Sequence, residues 1–211
     1  MWAALKSPLL IGADLRHISP AALTILNNPA IIALNQDPLG RSMYRVRVDT
    51  NVAKDEYGQG ETHVWTGTLS GGDQVVVFLN AANEDFVMEA KLSEMFYHDG
   101  PEGSASQVQD EWEVYDLWAN RMSREVAKKL LAAKTEVEAN QIYRNANWFN
   151  STEISYKDGL KQRDPRLMGK MITTIPKGGK LIQKVERHSV GVYRLKNLTN
   201  FSKRYIIHKE L

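Results

Sequence analysis

"HVWTGTLSGGDQVVVFLN", residues 63–80, decides the fold class. His63–Leu69 alternates, Gln74–Asn80 is rich in β-branched residues, and Gly71-Gly72-Asp73 separates them. Two β-prone runs joined by a glycine turn read as an antiparallel hairpin. The glycine pair is turn chemistry, with no phosphate-loop context around it.

Working outward, "YRVRV" (residues 44–48), "FVMEAKL" (86–92) and "EWEVYDLW" (111–118) have the length and composition of further strands. So do "KMITTI" (170–175), "KLIQKVE" (180–186) and "VGVYRLK" (190–196), with Gly178-Gly179 as a turn. Short strands at this spacing predict a mainly β protein, an antiparallel β-sandwich. A helical insert interrupts it. In Ser123–Ala139, Val126, Leu130, Ala133 and Val137 share one face, which predicts an amphipathic helix packed on the sandwich. Residues 140–165 read as a polar loop.

The first forty residues have another style. Met1–Lys6 reads as the last turns of an apolar helix. Leu9–Ala13 is apolar on every side, the mark of a parallel strand buried on both faces. Ser19-Pro20 is a helix start, a hydroxyl N-cap followed by proline at the first position. Leu23 and Leu26 follow on its apolar face. Strand, loop and helix make one βα unit, and a parallel strand needs neighbours from elsewhere. "NQDPLG" (35–40) marks the change to β-rich sequence.

Bulk properties narrow the function. A chain of 211 residues buries roughly 70% of its unfolded surface and needs no staples. With 27 basic and 25 acidic residues, net charge is +2, too balanced to point to nucleic acid or an anionic membrane as partner. There is no cysteine, so disulfides and Cys-based zinc sites are excluded. No apolar run reaches the ~18–20 residues that span a bilayer. Lys6 breaks the first apolar stretch, and no basic segment precedes it, so no signal peptide is expected in this chain. The five histidines, His17, His63, His98, His188 and His208, show no metal-ligand spacing. No metal or cofactor is expected.

"WAALKSPLLIGADL" (2–15), "LRHISP" (15–20) and "NQDPLG" resemble, in order, the end of the catalytic barrel of α-galactosidases, glycoside hydrolase family 27. "VYDLWANRM" (114–122) and "HSVGVYRLK" (188–196) are similar to their C-terminal domain. "SYKDGLK" (155–161) and "PRLMGKM" (165–171) resemble the fungal branch. The resemblance implies a (β/α)8 barrel followed by an antiparallel sandwich, in a secreted enzyme that releases terminal α-linked galactose with retention. Residues 1–42 would then be a barrel remnant: the end of helix 7, strand 8 at Leu9–Asp14, and helix 8 at Pro20–Leu34. Residues 43–211 would be the sandwich with its insert at 123–139. The chain is expected to begin inside a core because most of the barrel is missing.

Retaining hydrolysis needs two carboxyl groups about 5–5.5 Å apart. In the family both are aspartates on earlier barrel strands, the nucleophile in a Lys-x-Asp stretch near a cysteine. No such stretch occurs here, so no catalytic residue is carried over and the chain alone is expected to be inactive. Asp14 would stand at the C-terminal end of a barrel strand, where barrel active sites lie. It is the one site-adjacent candidate, against a role anchoring its loop. Asp37 and Asp116 read as structural. Trp65, Trp112, Trp118 and Trp148 read as buried aromatics of the sandwich. Exposed on one face, they would instead favour a non-catalytic carbohydrate-binding module. Asn150, Asn197 and Asn200 head Asn-x-Ser/Thr triplets, the acceptor pattern for N-glycosylation.

Overall fold

The computed structural model describes residues 1–96, 106–146 and 148–198. They divide into two compact units. Met1–Gly40 with Leu117–Lys170 form one, and Arg41–Asp116 with the chain from Met171 onward form the other.

The second unit is the expected sandwich. Its strands are β1 (Tyr44–Asp49), β2 (Thr62–Thr68), β3 (Gln74–Asn80), β4 (Phe86–Lys91), β5 (Trp112–Asp116), β6 (Lys170–Ile175), β7 (Lys180–Val185) and β8 (Ser189–Asn197). One sheet has the order β1-β2-β3-β8-β5-β6, and the other pairs β4 with β7. The expected 63–80 hairpin forms, and in it Trp65 faces Val77 and Gly67 faces Val75. Gly71 and Gly72 take φ of 75° and 80°, a left-handed region that costs other residues roughly 1–2 kcal/mol each. The Leu69 amide closes the turn on the Asp73 carbonyl at 2.8 Å.

Alternate residues of both sheets meet in one core. Phe78, Met88, Trp112, Ile175, Leu181 and Leu195 are all in it and all buried. Each such side chain contributes about 1.5–3 kcal/mol by leaving water. After β4 a single helical turn, Leu92–Met95, adds Leu92 and Met95 to this core.

The first unit is helical: α1 (Pro20–Leu26), α2 (Pro29–Asn35), α3 (Arg124–Ala132), α4 (Glu136–Arg144), α5 (Tyr156–Lys161) and α6 (Pro165–Met168). The Ser19 hydroxyl caps α1, accepting from the Ala22 amide at 3.1 Å. Three expectations are corrected here. The helix expected over Pro20–Leu34 is two, because Asn28 caps a new start at Pro29 and accepts from the Ala30 amide at 3.0 Å. The helix expected over Ser123–Ala139 is also two. Ala133 leaves helical geometry, and Thr135 caps α4, which runs on to Arg144. The polar stretch 140–165, read as loop, contains α5 and the start of α6, capped by Ser155 and Asp164.

A fourth correction concerns Leu9–Asp14. No strand forms there, and the segment joins neither sheet. A parallel strand needs hydrogen-bonding neighbours, and no described strand flanks this one. Leu9, Leu10 and Ile11 are 40%, 82% and 52% exposed.

The insert also differs from expectation in its partners. Leu23 of α1 packs with Met122, Ala127 and Leu130. Ala33 of α2 packs with Phe149, Leu160 and Leu167. The Asn28 side-chain amide donates to the Leu117 carbonyl at 3.0 Å. The helices after Leu117 thus complete the core of residues 1–40.

Candidate functional site

Asp14 caps a short 3-10 turn, Leu15–His17. Its Oδ1 accepts from the Arg16 backbone amide at 3.0 Å and from Arg16 Nε at 2.9 Å. Its Oδ2 accepts from Arg16 Nη2 at 2.9 Å and lies 3.0 Å from His17 Nδ1. These bonds, the Arg16 side chain first, pull the carboxyl down to a pKa of about 2. Such a group stays ionised near neutrality and cannot serve as a proton donor. As a nucleophile it would have to leave a two-pronged arginine grip. Among the described residues, no second carboxyl takes part in this cluster. Asp14 therefore has the loop-anchoring geometry.

Asp37 and Asp116 sit in a turn and at a strand end. Asp37 is buried and accepts from the Leu39 amide at 3.1 Å, within its turn. Asp116 ends β5 opposite Tyr193. Burial, with Asp116 nearby, pushes the Tyr193 phenol up to about 12.

The described histidines stand apart. His17 is on Asp14, and His63 Nε2 lies 3.0 Å from Glu61 Oε1. His98 and His208 lie outside the described residues. Among the described residues, no three His, Asp or Glu side chains are grouped to hold a metal ion.

Trp112 is a core residue. It stacks on Phe96 with ring centres 5.2 Å apart and donates from Nε1 to the Gln107 carbonyl at 3.1 Å. Trp65 lies under Arg45, and Trp148 packs on Tyr143. With Trp118, these three are half-buried. They do not form an exposed row for stacking on sugars.

The sequons separate by geometry. Asn150 is half-buried in the 148–155 connection. Its Oδ1 accepts from the Thr152 amide at 3.1 Å and the Thr152 hydroxyl at 2.7 Å. Its amide nitrogen donates to Glu153 Oε1, 2.7 Å away, on the exposed side of the connection. Asn197, at the end of β8, is 5% exposed and donates to Asp110 Oδ2 at 2.6 Å, so its amide is committed inside the fold. Asn200 lies outside the described residues.

One feature was not legible in the sequence. Between β1 and β4 lies an open cleft of about 200 Å³, lined by Arg47, Asp49, Thr62, Phe86, Val87 and Glu89, among others. It depends on a shift of register between Arg45 and Arg47, which pairs Arg47 with Val64 and Asp49 with Thr62. Alternation in "YRVRV" carries no trace of that bulge.

The comparisons with known proteins agree with this architecture. The family described as the alpha galactosidase C-terminal beta sandwich domain matches residues 59–144, and that described as alpha galactosidase A matches residues 1–37. The α-galactosidase of Zygotorulaspora mrakii is 42% identical over 93% of this chain, and that of Saccharomyces mikatae 40%. The solved α-galactosidase of Saccharomyces cerevisiae superposes with a TM-score of 0.84 at 38% identity, over 93% of this chain and 41% of its own. A structure of the Saccharomyces cerevisiae enzyme with raffinose gives the same score. The chain spans about 40% of the length of these relatives. By sequence and by fold, it belongs to the glycoside hydrolase family 27 α-galactosidases and carries their C-terminal β-sandwich.

Proposed function

We propose that this chain supplies the sandwich-bearing portion of a secreted α-galactosidase, with residues 1–42 as the end of its catalytic barrel. Residues 1–211 on their own hydrolyse no α-galactoside. The observation that carries this reading is the superposition over 93% of this chain but only 41% of the Saccharomyces cerevisiae enzyme. The one candidate carboxylate, Asp14, is clamped by Arg16, and no second carboxyl among the described residues shares its bonds. The substrate of the wider enzyme would be a terminal α-galactoside, the class to which raffinose belongs. Secretion would bring glycosylation, and Asn150 is the acceptor its geometry favours.

A chromogenic α-galactoside tests this. The purified chain should release chromophore at the blank rate. Mixed with the barrel portion of the Saccharomyces cerevisiae relative, it should restore turnover. Turnover by the chain alone would refute the reading, and loss of that turnover in Asp14→Ala would make Asp14 its catalytic group. A second reading, sugar binding without catalysis, draws on the cleft beside Arg47 and Asp49.

A further inference from the structure

We infer that the cleft between β1 and β4 is a binding site for one pyranose ring. Three observations support it. The first is size. At about 200 Å³ the cleft lies below the ~300–1,000 Å³ of sites for drug-sized ligands and has room for one sugar ring.

The second is the arrangement of polar groups. The β1 register shift pairs Arg47 with Val64 and Asp49 with Thr62, so these side chains share the face of the sheet that looks toward β4. A bulge re-aims side chains in this way. Arg47 is held by Glu94 at 2.8 Å and by the Glu89 carbonyl. Asp49 spends one oxygen, Oδ1, on the Asn51 amide at 2.8 Å. Glu89 spends Oε2 on Lys180 at 2.6 Å. Each carboxylate thus keeps an acceptor oxygen, and adjacent ring hydroxyls are donors. Thr62 is 6% exposed and lines the cleft, where its hydroxyl can donate to or accept from a ring hydroxyl.

The third is the apolar wall. Phe86, Val87 and Met88 line the side opposite β1, and Val87 is 65% exposed. A pyranose has hydroxyl edges and a C–H face, which match the carboxylate side and the Phe86 side. Oppositely charged and apolar groups together fit a neutral polyol better than an anion or a cation.

The choice of galactoside as first probe rests on the proposed function; the cleft chemistry asks only for a pyranose. The experiment is a titration of the full, isotope-labelled chain with methyl α-galactopyranoside, with methyl α-glucopyranoside in parallel, followed by NMR. Expected are saturable shifts at Arg47, Asp49, Thr62 and Phe86–Glu89. Asp49→Asn, an exposed change, should weaken binding about tenfold, as loss of a charged acceptor does. Thr62→Val should weaken it too. If Thr62→Val fails to fold, Asp49→Asn carries the test alone. No saturable shift with either sugar, or shifts unchanged in Asp49→Asn, would overturn the proposal. Binding is read without turnover, so its failure leaves the activity assay standing, and activity of the chain leaves the titration readable.

Discussion

Arg194 Nη1 lies 3.0 Å from Asp73 Oδ2, and the two side chains are 2% and 3% exposed. Asp73 closes the hairpin turn after Gly72, and Arg194 stands on β8, beside β3. Removing one partner of a buried ion pair leaves the other charge in a dry place, at about 3–5 kcal/mol. Asp73→Ala should lower the urea midpoint accordingly. Asp73→Ala combined with Arg194→Met should recover much of the loss. A double variant as unstable as the sum of its singles would show that the pairing is not what the aspartate supplies.

Tyr193 sets an alkaline limit. Its phenol titrates near 12 in the fold, against an ordinary value of 10. Below pH 10 both folded and unfolded forms hold the proton, and the contribution to stability is intact. Between about 10 and 12 the unfolded chain loses its proton first, so stability falls as pH rises. Tyr193→Phe should flatten that fall in thermal melts recorded from pH 9 to 11.5 or so.

Gly159 lies inside α5, a place where glycine is otherwise unfavourable. A methyl group there would meet Leu167 Cδ1 at 2.7 Å and Phe149 at 2.9 Å. Overpacking of this kind costs about 1–3 kcal/mol, more than the helix propensity that alanine returns. Gly159→Ala should therefore lower the melting temperature, and a neutral or stabilising result would mean that Phe149 moves aside freely.

Asn28 joins two distant stretches of chain. It caps α2 and bonds Leu117, and it is wholly buried. Asn28→Ala should cost about 1–2 kcal/mol for the cap and more for the orphaned carbonyl. Deleting residues 1–39 should then loosen α3 to α6, since Leu23 and Ala33 are part of their cores. Amide exchange that stays slow across 124–132 after the deletion would contradict this.

The strands were legible because β-branched runs and glycine turns are local signals. Gly71-Gly72 and Gly178-Gly179 mark their turns directly. The pairing of β4 with β7 joins residues about ninety positions apart, and no local signal carries it. The helix breaks were written in the same code as the starts that were read. Asn28-Pro29 repeats the logic of Ser19-Pro20, but the apolar run on either side masked it. The position of Asp14 after an apolar run was readable, yet its grip by Arg16, two residues on, is a matter of side-chain geometry. The cleft was invisible because a bulge at Val46 decides which way Arg47 faces.

Both units are assembled from two separate lengths of chain, and this sets a timetable for synthesis. The helices α1 and α2 leave the ribosome ahead of the side chains that cover Leu23 and Ala33, which come only after residue 116. At ~5–20 residues per second, residues 41–116 take roughly 4–15 s to make. For that interval the first forty residues hold their apolar face open, and the sandwich in turn waits for β6, β7 and β8. Neither unit can fold to completion before residue 170 has been made, so a stall or stop between residues 41 and 170 leaves both unfinished.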